Sequence, residues 1–446
     1  MQQKTGGTNL GLIAVFALPL LLVTALLQMS KRYVDVFEGG ENLDELVKQA
    51  KAAGYPFEAS ELPIQKVPDS NNGYIPLKKY FLDKKNPVPK QSDEQGDFAQ
   101  LEKKELHPNV AELIRRAKIV AAKTQFDAKR DYEQGWSIDY SDSPAFTKII
   151  KALCFDAGHR ARYGDPVGGI NSLRLARNVI LQLSQDPEHI GVLTSVACQN
   201  IYYFAVADMA QRVRHNSASL DELFALVAND FPLQPLESGL KLEFYQGLAM
   251  LRNYTPREVF IEGGDFSFSG EKVEYRPKIR TGLPSSTVNQ ALLAKVIKRY
   301  LDYDAVRKSE SNGKRAAEIM DQIAENAQLS ISERLVGPMS PTYSNLEATR
   351  RKPADFRRLC LWAIQIAKDY PNGFPETLPA QPSAVPGGKL MYTKFGDQFA
   401  VYSTGADKVD SGGYVQKDGK LNPNRGDDFG FAVPIKPPQT PDPRDI

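Results

Sequence analysis

Residues 146–183 read FTKIIKALCFDAGHRARYGDPVGGINSLRLARNVILQL, with an apolar stripe of helical spacing on each side of the central turn. In that turn, Gly164 suits the left-handed residue that ends a helix, while Asp165 suits the N-cap of the next and Pro166 its first turn. Helices joined by so short a connection pack antiparallel. The stretch therefore predicts a helical hairpin.

Apolar spacing of the same period occurs along most of the chain. In addition to the hairpin, the predicted helices are 42–53, 193–209, 220–227, 240–251, 287–303, 313–327 and 355–370. The stripe predicted for the helix after the hairpin comprises Leu193, Val196, Ala197, Ile201, Phe204, Ala205 and Met209. The helix pairing resembles tetratricopeptide-type stacking, although the full pattern of roughly 34 residues is absent, and a plain bundle is the alternative.

Two regions predict β-structure. Short strand-like runs between glycines predict a β-hairpin inserted at about 254–285. Near the C-terminus, 389–392 and 398–402 flank a Gly-Asp turn and predict a second hairpin, with 429–433 as a third strand. The predicted fold is therefore mainly α with a small antiparallel β module, followed by an extended, proline-rich and disordered tail at 434–446.

Charge and cysteine content exclude some classes of protein. The 446 residues include 56 basic and 54 acidic side chains, which gives a net charge of +2 without a basic stripe, so nucleic acid is not an expected partner. The three cysteines, Cys154, Cys198 and Cys360, form no CxxC pair and cannot complete a disulfide framework. Buried free thiols and a Cys154–Cys198 disulfide are the two alternatives.

Leu10 to Leu27 reads LGLIAVFALPLLLVTALL and contains no charge. At 1.5 Å per residue it covers about 27 Å, close to the hydrocarbon thickness of a bilayer. The alternative is a cleaved signal peptide, but no small-residue cleavage pattern follows. The segment therefore predicts a membrane anchor. Lys31 and Arg32 against Lys4 slightly favour a cytoplasmic body, although long domains cross membranes largely regardless of charge.

An Asp/Gly-rich loop is the strongest chemical signal. Residues 402–413 read YSTGADKVDSGG, and a GDD triplet follows at 426–428. Calcium takes roughly six to eight oxygen ligands from carboxylates and carbonyls, and glycines let a backbone curl around the ion. The candidate metal ligands are Asp407, Asp410, Asp427 and Asp428. The alternative is a turn that uses Asp and Gly for conformational reasons alone.

This loop follows the helix LCLWAIQIAKDYPNGFPETLP and the hairpin LMYTKFGDQFAVYS, and over residues 354–433 it resembles the C-terminal module of type II secretion major pseudopilins. In that family a loop of the form SLGADGxxGG…DADI closes around calcium. The resemblance places Asp407 at the family's GAD aspartate and Asp427 and Asp428 at its closing acidic pair, with Lys408 where the family has glycine. A prepilin signal does not precede the anchor, so pseudopilin identity is not implied.

The whole chain resembles uncharacterised single-pass envelope proteins of environmental bacteria. The shared stretches are like LVKQAKAAGYPFEASEL, VPDSNNGYIPLKKY and HRARYGDPVGGINSLRLARNVI. That family has no assigned activity. Together with the calcium-type loop, the resemblance implies a protein of the bacterial cytoplasmic membrane whose body is extracytoplasmic.

The sequence contains no complete catalytic signature. Its four histidines, His107, His159, His189 and His215, form no HExxH or HxH pattern, and GxSxG and Walker A motifs are absent from the sequence. The segment DYEQGWSIDYSDS at 131–143 combines aromatic residues with carboxylates. This combination suits sugar or peptide binding, or a loop pinned onto the helical body.

These patterns divide the chain into five predicted segments. They are an anchor (1–32), a mixed juxtamembrane segment (33–95), a helical body (96–350), the pseudopilin-like module (351–433) and the tail (434–446). The expected function is a membrane-tethered, non-catalytic protein that binds a protein or peptide. The alternatives are an accessory component of a type II secretion or pilus-like machine, and an envelope hydrolase acting through carboxylates near Asp139 and Asp142.

Overall fold

The computed structural model shows a mainly helical protein with a small antiparallel sheet. The structure describes residues 42–82, 108–138, 140, 142–232, 235–255, 280–327, 343–384, 387–396, 398–405, 408–412, 414–415, 421–422 and 428–433. The predicted anchor at 10–27, the tail and most of the predicted insertion at 254–285 lie outside these residues.

Most of the described helices lie at predicted positions, although Tyr74–Leu82 was not predicted and the last helix begins earlier than predicted. They are α1 (Leu43–Ala52), α2 (Tyr74–Leu82), α3 (Pro108–Ala121), α4 (Ser143–Arg162), α5 (Pro166–Leu183), α6 (His189–Arg212), α7 (Ser217–Val227), α8 (Leu236–Asn253), α9 (Thr287–Ser309), α10 (Gly313–Ala327) and α11 (Tyr343–Asp369). Short 3-10 helices lie at Ala59–Glu61 and Tyr132–Ser137. The strands are β1 (Gln381–Pro382), β2 (Lys389–Phe395), β3 (Gln398–Ser403), β4 (Tyr414–Val415), β5 (Leu421–Asn422) and β6 (Phe429–Val433).

The chain forms two compact units that alternate along the sequence. The first comprises residues 1–62, 131–138 and 240–340, and the second comprises residues 63–130, 139–239 and 341–446. The first unit therefore includes α1, most of α8, α9 and α10, while the second includes α2 to α7, α11 and every described strand.

In the first unit, α1 packs against α9 beside a cluster of aromatic rings. The rings of Tyr55 and Phe244 lie 5.0 Å apart, and those of Phe244 and Tyr300 lie 5.6 Å apart. The Tyr55 hydroxyl donates to the Tyr300 carbonyl oxygen at 2.8 Å. This bond satisfies the polar tip of a ring whose body is buried, which is how tyrosine is accommodated in a core.

The predicted hairpin of α4 and α5 is confirmed in the second unit. Gly164 has φ +86°, the left-handed conformation expected of the residue that ends a helix. Asp165 accepts a hydrogen bond from the Gly168 N–H at 2.9 Å and so caps α5. The predicted apolar stripe of α5 is buried throughout, and it comprises Ile170, Leu173, Ala176, Val179, Ile180 and Leu183. In the predicted stripe of α4 only Cys154 is partly exposed, and the buried members are Phe146, Ile149, Ile150, Leu153 and Ala157. Both helix faces were therefore predicted correctly.

The stripe predicted for α6 is confirmed in part. Val196 and Met209 are buried, and Ile201, Phe204 and Ala205 are partly buried and pack against the core, whereas Leu193 is partly exposed and Ala197 is exposed. From Val206 to Gln211, six consecutive residues are buried. Because a helical turn contains about 3.6 residues, this end of α6 is enclosed on every side. A helix that is apolar all round has no polar face from which its orientation can be predicted.

Helix α6 is also the one described helix that is long and apolar enough to cross a membrane by length and composition. Of its most apolar 18-residue window, 56% is buried inside the protein. It contacts α4, α5 and α11, which indicates the central helix of the second unit.

Helix α11 is longer than predicted and runs parallel to α6. It begins at Tyr343, whereas the predicted helix begins at position 355. Pro353 does not interrupt the helix and lies buried within it. At the start of both helices, the rings of His189 and Tyr343 lie 6.1 Å apart. Towards the ends, Gln211 Nε2 donates to the Ala363 carbonyl oxygen at 3.0 Å. The predicted module boundary at 351 therefore falls inside one continuous helix.

The predicted C-terminal hairpin and third strand are confirmed. The larger sheet has the order β1-β2-β3-β6, and all of its strand pairs are antiparallel. The central strand β3 is buried along its whole length and contacts α11. The stacked rings of Phe204 and Phe431, 5.7 Å apart, join β6 to α6. The sheet therefore shares the core of the helical unit.

The close approach of α4 and α5 generates a stability prediction. A Cβ added at Gly169 would lie 2.6 Å from the Ala157 carbonyl oxygen, which is backbone and has no room to move aside. We expect Gly169→Ala to lower the free energy of unfolding by about 1–3 kcal/mol, because the two helices must separate. Denaturant unfolding followed by circular dichroism measures this change.

Gly158→Ala is the matched control, because a Cβ at this helical glycine would have only ordinary contacts at 3.9 Å. Replacing a helical glycine with alanine stabilises a helix by up to about 1 kcal/mol. Equal losses of stability in the two variants would contradict the close-packing argument.

Candidate functional site

Two of the four predicted metal ligands, Asp410 and Asp428, lie within the described residues, whereas Asp407 and Asp427 lie outside them. Asp428 Oδ2 accepts a hydrogen bond from the Ser411 N–H at 3.0 Å. The structure therefore places the backbone next to Asp410 against the Asp428 carboxylate. Asp428 is buried and Asp410 is exposed.

Asp410 also shapes the loop locally. Its Oδ1 accepts from the Gly412 N–H at 2.9 Å and from the Tyr402 hydroxyl at 3.2 Å. These bonds resemble an Asx turn, in which the carboxylate stabilises the backbone without a metal. Within the described ranges, which include only half of the predicted ligand set, no cluster of three or more metal-ligating side chains is present. The arrangement of this half fits the turn interpretation and leaves the calcium interpretation untested.

Lys408 adopts an unusual backbone conformation in this loop, with φ +61°. A residue with a Cβ rarely adopts the left-handed region, which glycine enters without steric cost. At this position the backbone therefore has a conformation that glycine favours, although the side chain is lysine.

The buried carboxylate of Asp355 holds the start of the loop. It accepts hydrogen bonds from the Ser383 hydroxyl at 2.6 Å, the Ser403 hydroxyl at 2.7 Å and the Ala384 N–H at 2.5 Å. Ser403 ends β3 directly before the loop. Three donors offset the cost of burying this carboxylate. Sequence reasoning missed this role, because Asp355 was predicted only as the first residue of a helix.

Arg130 is the centre of a second buried cluster in the second unit. Its guanidinium lies 3.2 Å from Asp142, 3.8 Å from Asp186 and 3.2 Å from Glu188. The Tyr140 ring lies 4.6 Å from the guanidinium carbon. Three carboxylates therefore surround one cation. Because the guanidinium engages Asp142, the carboxylate that was predicted as a candidate acid for hydrolysis belongs to a structural ion cluster.

The excess of negative charge in this cluster affects Asp186. Burial and the neighbouring charge of Glu188 raise the pKa of Asp186 to about 7, against the opposing effect of Arg130. The Glu188 N–H donates to Asp186 Oδ1 at 3.1 Å. The cluster therefore holds a proton at weakly acidic pH and loses it near neutrality.

The aromatic-acidic segment is pinned to the helices of the first unit through Glu133. Arg252 Nη2 donates to the Glu133 carboxylate at 2.7 Å, and the Tyr245 hydroxyl donates to the same carboxylate. Asn253 Nδ2 donates to the Glu133 carbonyl oxygen at 2.9 Å. Burial alone would raise the pKa of Glu133. The hydrogen bonds from Tyr245 and Arg252 lower it by more, so the pKa lies below its ordinary value. The interpretation of this segment as a pinned loop is confirmed at Glu133.

The described cysteines are free thiols. Burial raises the pKa of Cys154, Cys198 and Cys360, so none of these sulfurs is an activated nucleophile. Cys154 and Cys198 form no disulfide, so the alternative of buried free thiols applies to this pair. His159 is buried, and its ring lies 4.7 Å from that of Tyr163.

An open cleft that sequence reasoning missed lies where α6 ends. Its volume is about 560 Å³, and it is lined by Gln211, Arg212, Arg214, His215, Phe374 and Lys394. The run Arg-Val-Arg-His at 212–215 was the available sequence signal. It gave no indication of the cleft, because Phe374 and Lys394 join it only in the folded chain.

A scan against models of protein families finds no match to this chain, and searches of curated proteins and of solved structures find none either.

Asp186 generates a pH prediction. A carboxyl group whose pKa is higher in the folded than in the unfolded chain stabilises the fold while it is protonated, and this contribution is lost as pH rises through the folded value. We therefore expect the second unit to lose stability between about pH 5 and pH 8. Asp186→Asn should remove this decline, which thermal unfolding across that pH range measures.

Asp221→Asn is the control, because this carboxylate is exposed and forms a surface ion pair with Lys368 at 3.1 Å. It should keep the pH dependence of the unchanged protein. A decline that persists in Asp186→Asn would contradict the role of Asp186.

Proposed function

We propose that this chain is a membrane-tethered, non-catalytic protein of the bacterial envelope whose helical body binds a protein or peptide partner. Residues 10–27 form the anchor in the cytoplasmic membrane, and the body is extracytoplasmic. This orientation follows from the resemblance to single-pass envelope proteins and from a loop type that takes calcium. The proposal includes a calcium-stabilised C-terminal loop containing Asp407, Asp410, Asp427 and Asp428.

The exposed tip of the α4–α5 hairpin is the observation that supports binding. Tyr163 is 40% exposed and Val167 is 61% exposed, on either side of the turn. The tip is held firmly, since Arg160 pairs with both Asp156 and Asp165 at 2.9 Å. Aromatic side chains on a preorganised surface are typical of protein interfaces, because little conformational entropy is lost on binding.

The roles of the buried charges support a non-catalytic body. Arg130, Glu133 and Asp355 each join segments that are distant in sequence through hydrogen bonds or ion pairs. Groups held in this way stabilise the fold, and removing one partner of a buried pair is costly. These convergent charges therefore have a structural explanation that does not require a reaction.

The packing of α6 favours a bundle over repeat stacking. In a repeat array, each unit contacts only its neighbours in sequence. Helix α6 instead packs along α11, which follows much later in the chain. We infer that the body is a helical bundle of its own arrangement, and that its binding surface is an end or edge of the bundle.

The C-terminal elements favour an accessory component of a secretion or pilus-like machine as a second candidate. A helix, a small antiparallel sheet and a loop follow one another as in the pseudopilin module, and Lys408 has the glycine-like backbone of that loop. Copurification of secretion-machine subunits after crosslinking in cells would support this candidate.

Calcium binding is tested by thermal unfolding of the full-length chain in detergent. If the loop binds calcium, calcium should raise the melting temperature, since a ligand that binds only the folded state stabilises it. Magnesium at the same concentration should raise it less, because magnesium is bound poorly by flexible carboxylate loops.

Asp428→Asn keeps an acceptor for the Ser411 N–H but should reduce the calcium effect. Asp369→Asn, an exposed change in the same unit, is the control. No calcium-dependent shift in the unchanged chain would refute the metal site.

The proposed surface is tested by photo-crosslinking in membranes. A photoreactive amino acid at position 163 or 167 should give a discrete crosslinked species, because these side chains project from the hairpin tip. The same amino acid at Phe224, which is 47% exposed on α7, is the matched control.

Removal of residues 1–32 should release the chain from the membrane fraction. Equal crosslinking at all three positions, or a full-length chain in the soluble fraction, would contradict the proposal.

A further inference from the structure

The cleft at the end of α6 has an unusual charge composition. Of its lining residues, Arg212, Arg214 and Lys394 are cationic and His215 is a fourth basic group. No described lining residue is a carboxylate. Open, one-signed clefts concentrate ligands of the opposite charge.

Part of this positive charge is already paired from outside the cleft. Arg212 pairs with Asp208 at 2.6 Å, and Lys394 pairs with the exposed Glu376. Arg214 differs, because its described interaction is with the face of the Phe374 ring, 5.4 Å away. Among the described residues, Arg214 and His215 have no carboxylate at ion-pair distance. Arg214 therefore keeps its guanidinium donors available to a ligand.

Gln211 adds a second, independent requirement. Its Nε2 donates to the carbonyl oxygens of Ala363 and Ala207, at 3.0 Å and 3.4 Å. These two acceptors fix the orientation of the Gln211 amide, because only its nitrogen, and not its oxygen, can donate to a carbonyl. Gln211 Oε1 is buried and accepts no hydrogen bond from any described residue. A buried acceptor without a donor is costly, so a ligand that supplies a donor is favoured.

The two requirements define a ligand with a carboxylate and a nearby N–H group. We propose that the cleft binds an acidic peptide segment, in which Arg214 pairs with a side-chain carboxylate and Gln211 Oε1 accepts from a peptide N–H. The Phe374 ring packs against the guanidinium and helps to hold it in place. The segment belongs to the partner of the proposed function, and the inference rests on that function.

The position of the cleft agrees with this assignment. A Cβ added at Gly158 would lie 3.9 Å from Arg212 Nε, so the end of α4 lies against the end of α6. The Tyr163–Val167 tip follows directly after α4. The exposed apolar tip and the basic cleft therefore lie at the same end of the second unit, where one partner can reach both.

Calorimetric titration of the full-length chain in non-ionic detergent tests the inference. The probes are a blocked hexaglutamate peptide, its hexaglutamine counterpart and inorganic phosphate. We expect hexaglutamate to bind and hexaglutamine not to bind. Arg214→Ala should weaken hexaglutamate binding by roughly tenfold or more, as expected for a lost charge-assisted hydrogen bond. Arg214→Lys should recover part of the affinity, because the charge remains and the planar fork is lost.

Arg174→Ala is the matched control, because this half-exposed arginine on α5 gives the same change in net charge away from the cleft. It should leave hexaglutamate affinity within about twofold. Equal binding of both peptides, insensitivity to Arg214→Ala, or binding of phosphate without hexaglutamate would overturn the inference. Crosslinking at position 163 without hexaglutamate binding would refute the cleft alone. Hexaglutamate binding without crosslinking would refute the proposed tip and leave the cleft intact.

Discussion

The enclosure of α6 is the constraint on which the second unit depends. A helix without a continuous polar face is stable in water only when other elements cover most of its apolar surface. Helices α4, α5 and α11 and strand β6 supply that cover. The sheet cannot be an independent module for the same reason, because Phe431 on β6 and Phe204 on α6 stack within one core.

Buried charge has a consistent role in both units. Arg130, Glu133 and Asp355 lie at joints where irregular segments meet helices, and each holds groups from different segments together through ion pairs or hydrogen bonds. Arg130 is the least balanced case, since three carboxylates surround one guanidinium. That imbalance makes the stability of this unit sensitive to pH, whereas the other two networks hold their charges in matched pairs or with neutral donors.

The features proposed to bind a partner lie at one end of the second unit. The end of α6 provides Gln211, Arg212 and Arg214, and the end of α4 leads into Tyr163. Both lie there because α4 and α6 run in the same direction, so that the end of α4 lies beside the end of α6. The surface proposed for a partner is thus a product of core packing.

The sequence by itself determined most of the helices, the hairpin of α4 and α5 and the three longer C-terminal strands, because these depend on local periodicity and on caps and turns such as Asp165 and Gly164. It also determined the charge balance and the Asp/Gly-rich loop. Only the tertiary structure decided which side of α6 faces the core, because a helix without a continuous polar face gives no pattern from which that side can be predicted. It also decided the roles of Asp355 and Gln211, whose hydrogen-bond partners come from distant segments and leave no trace in local spacing.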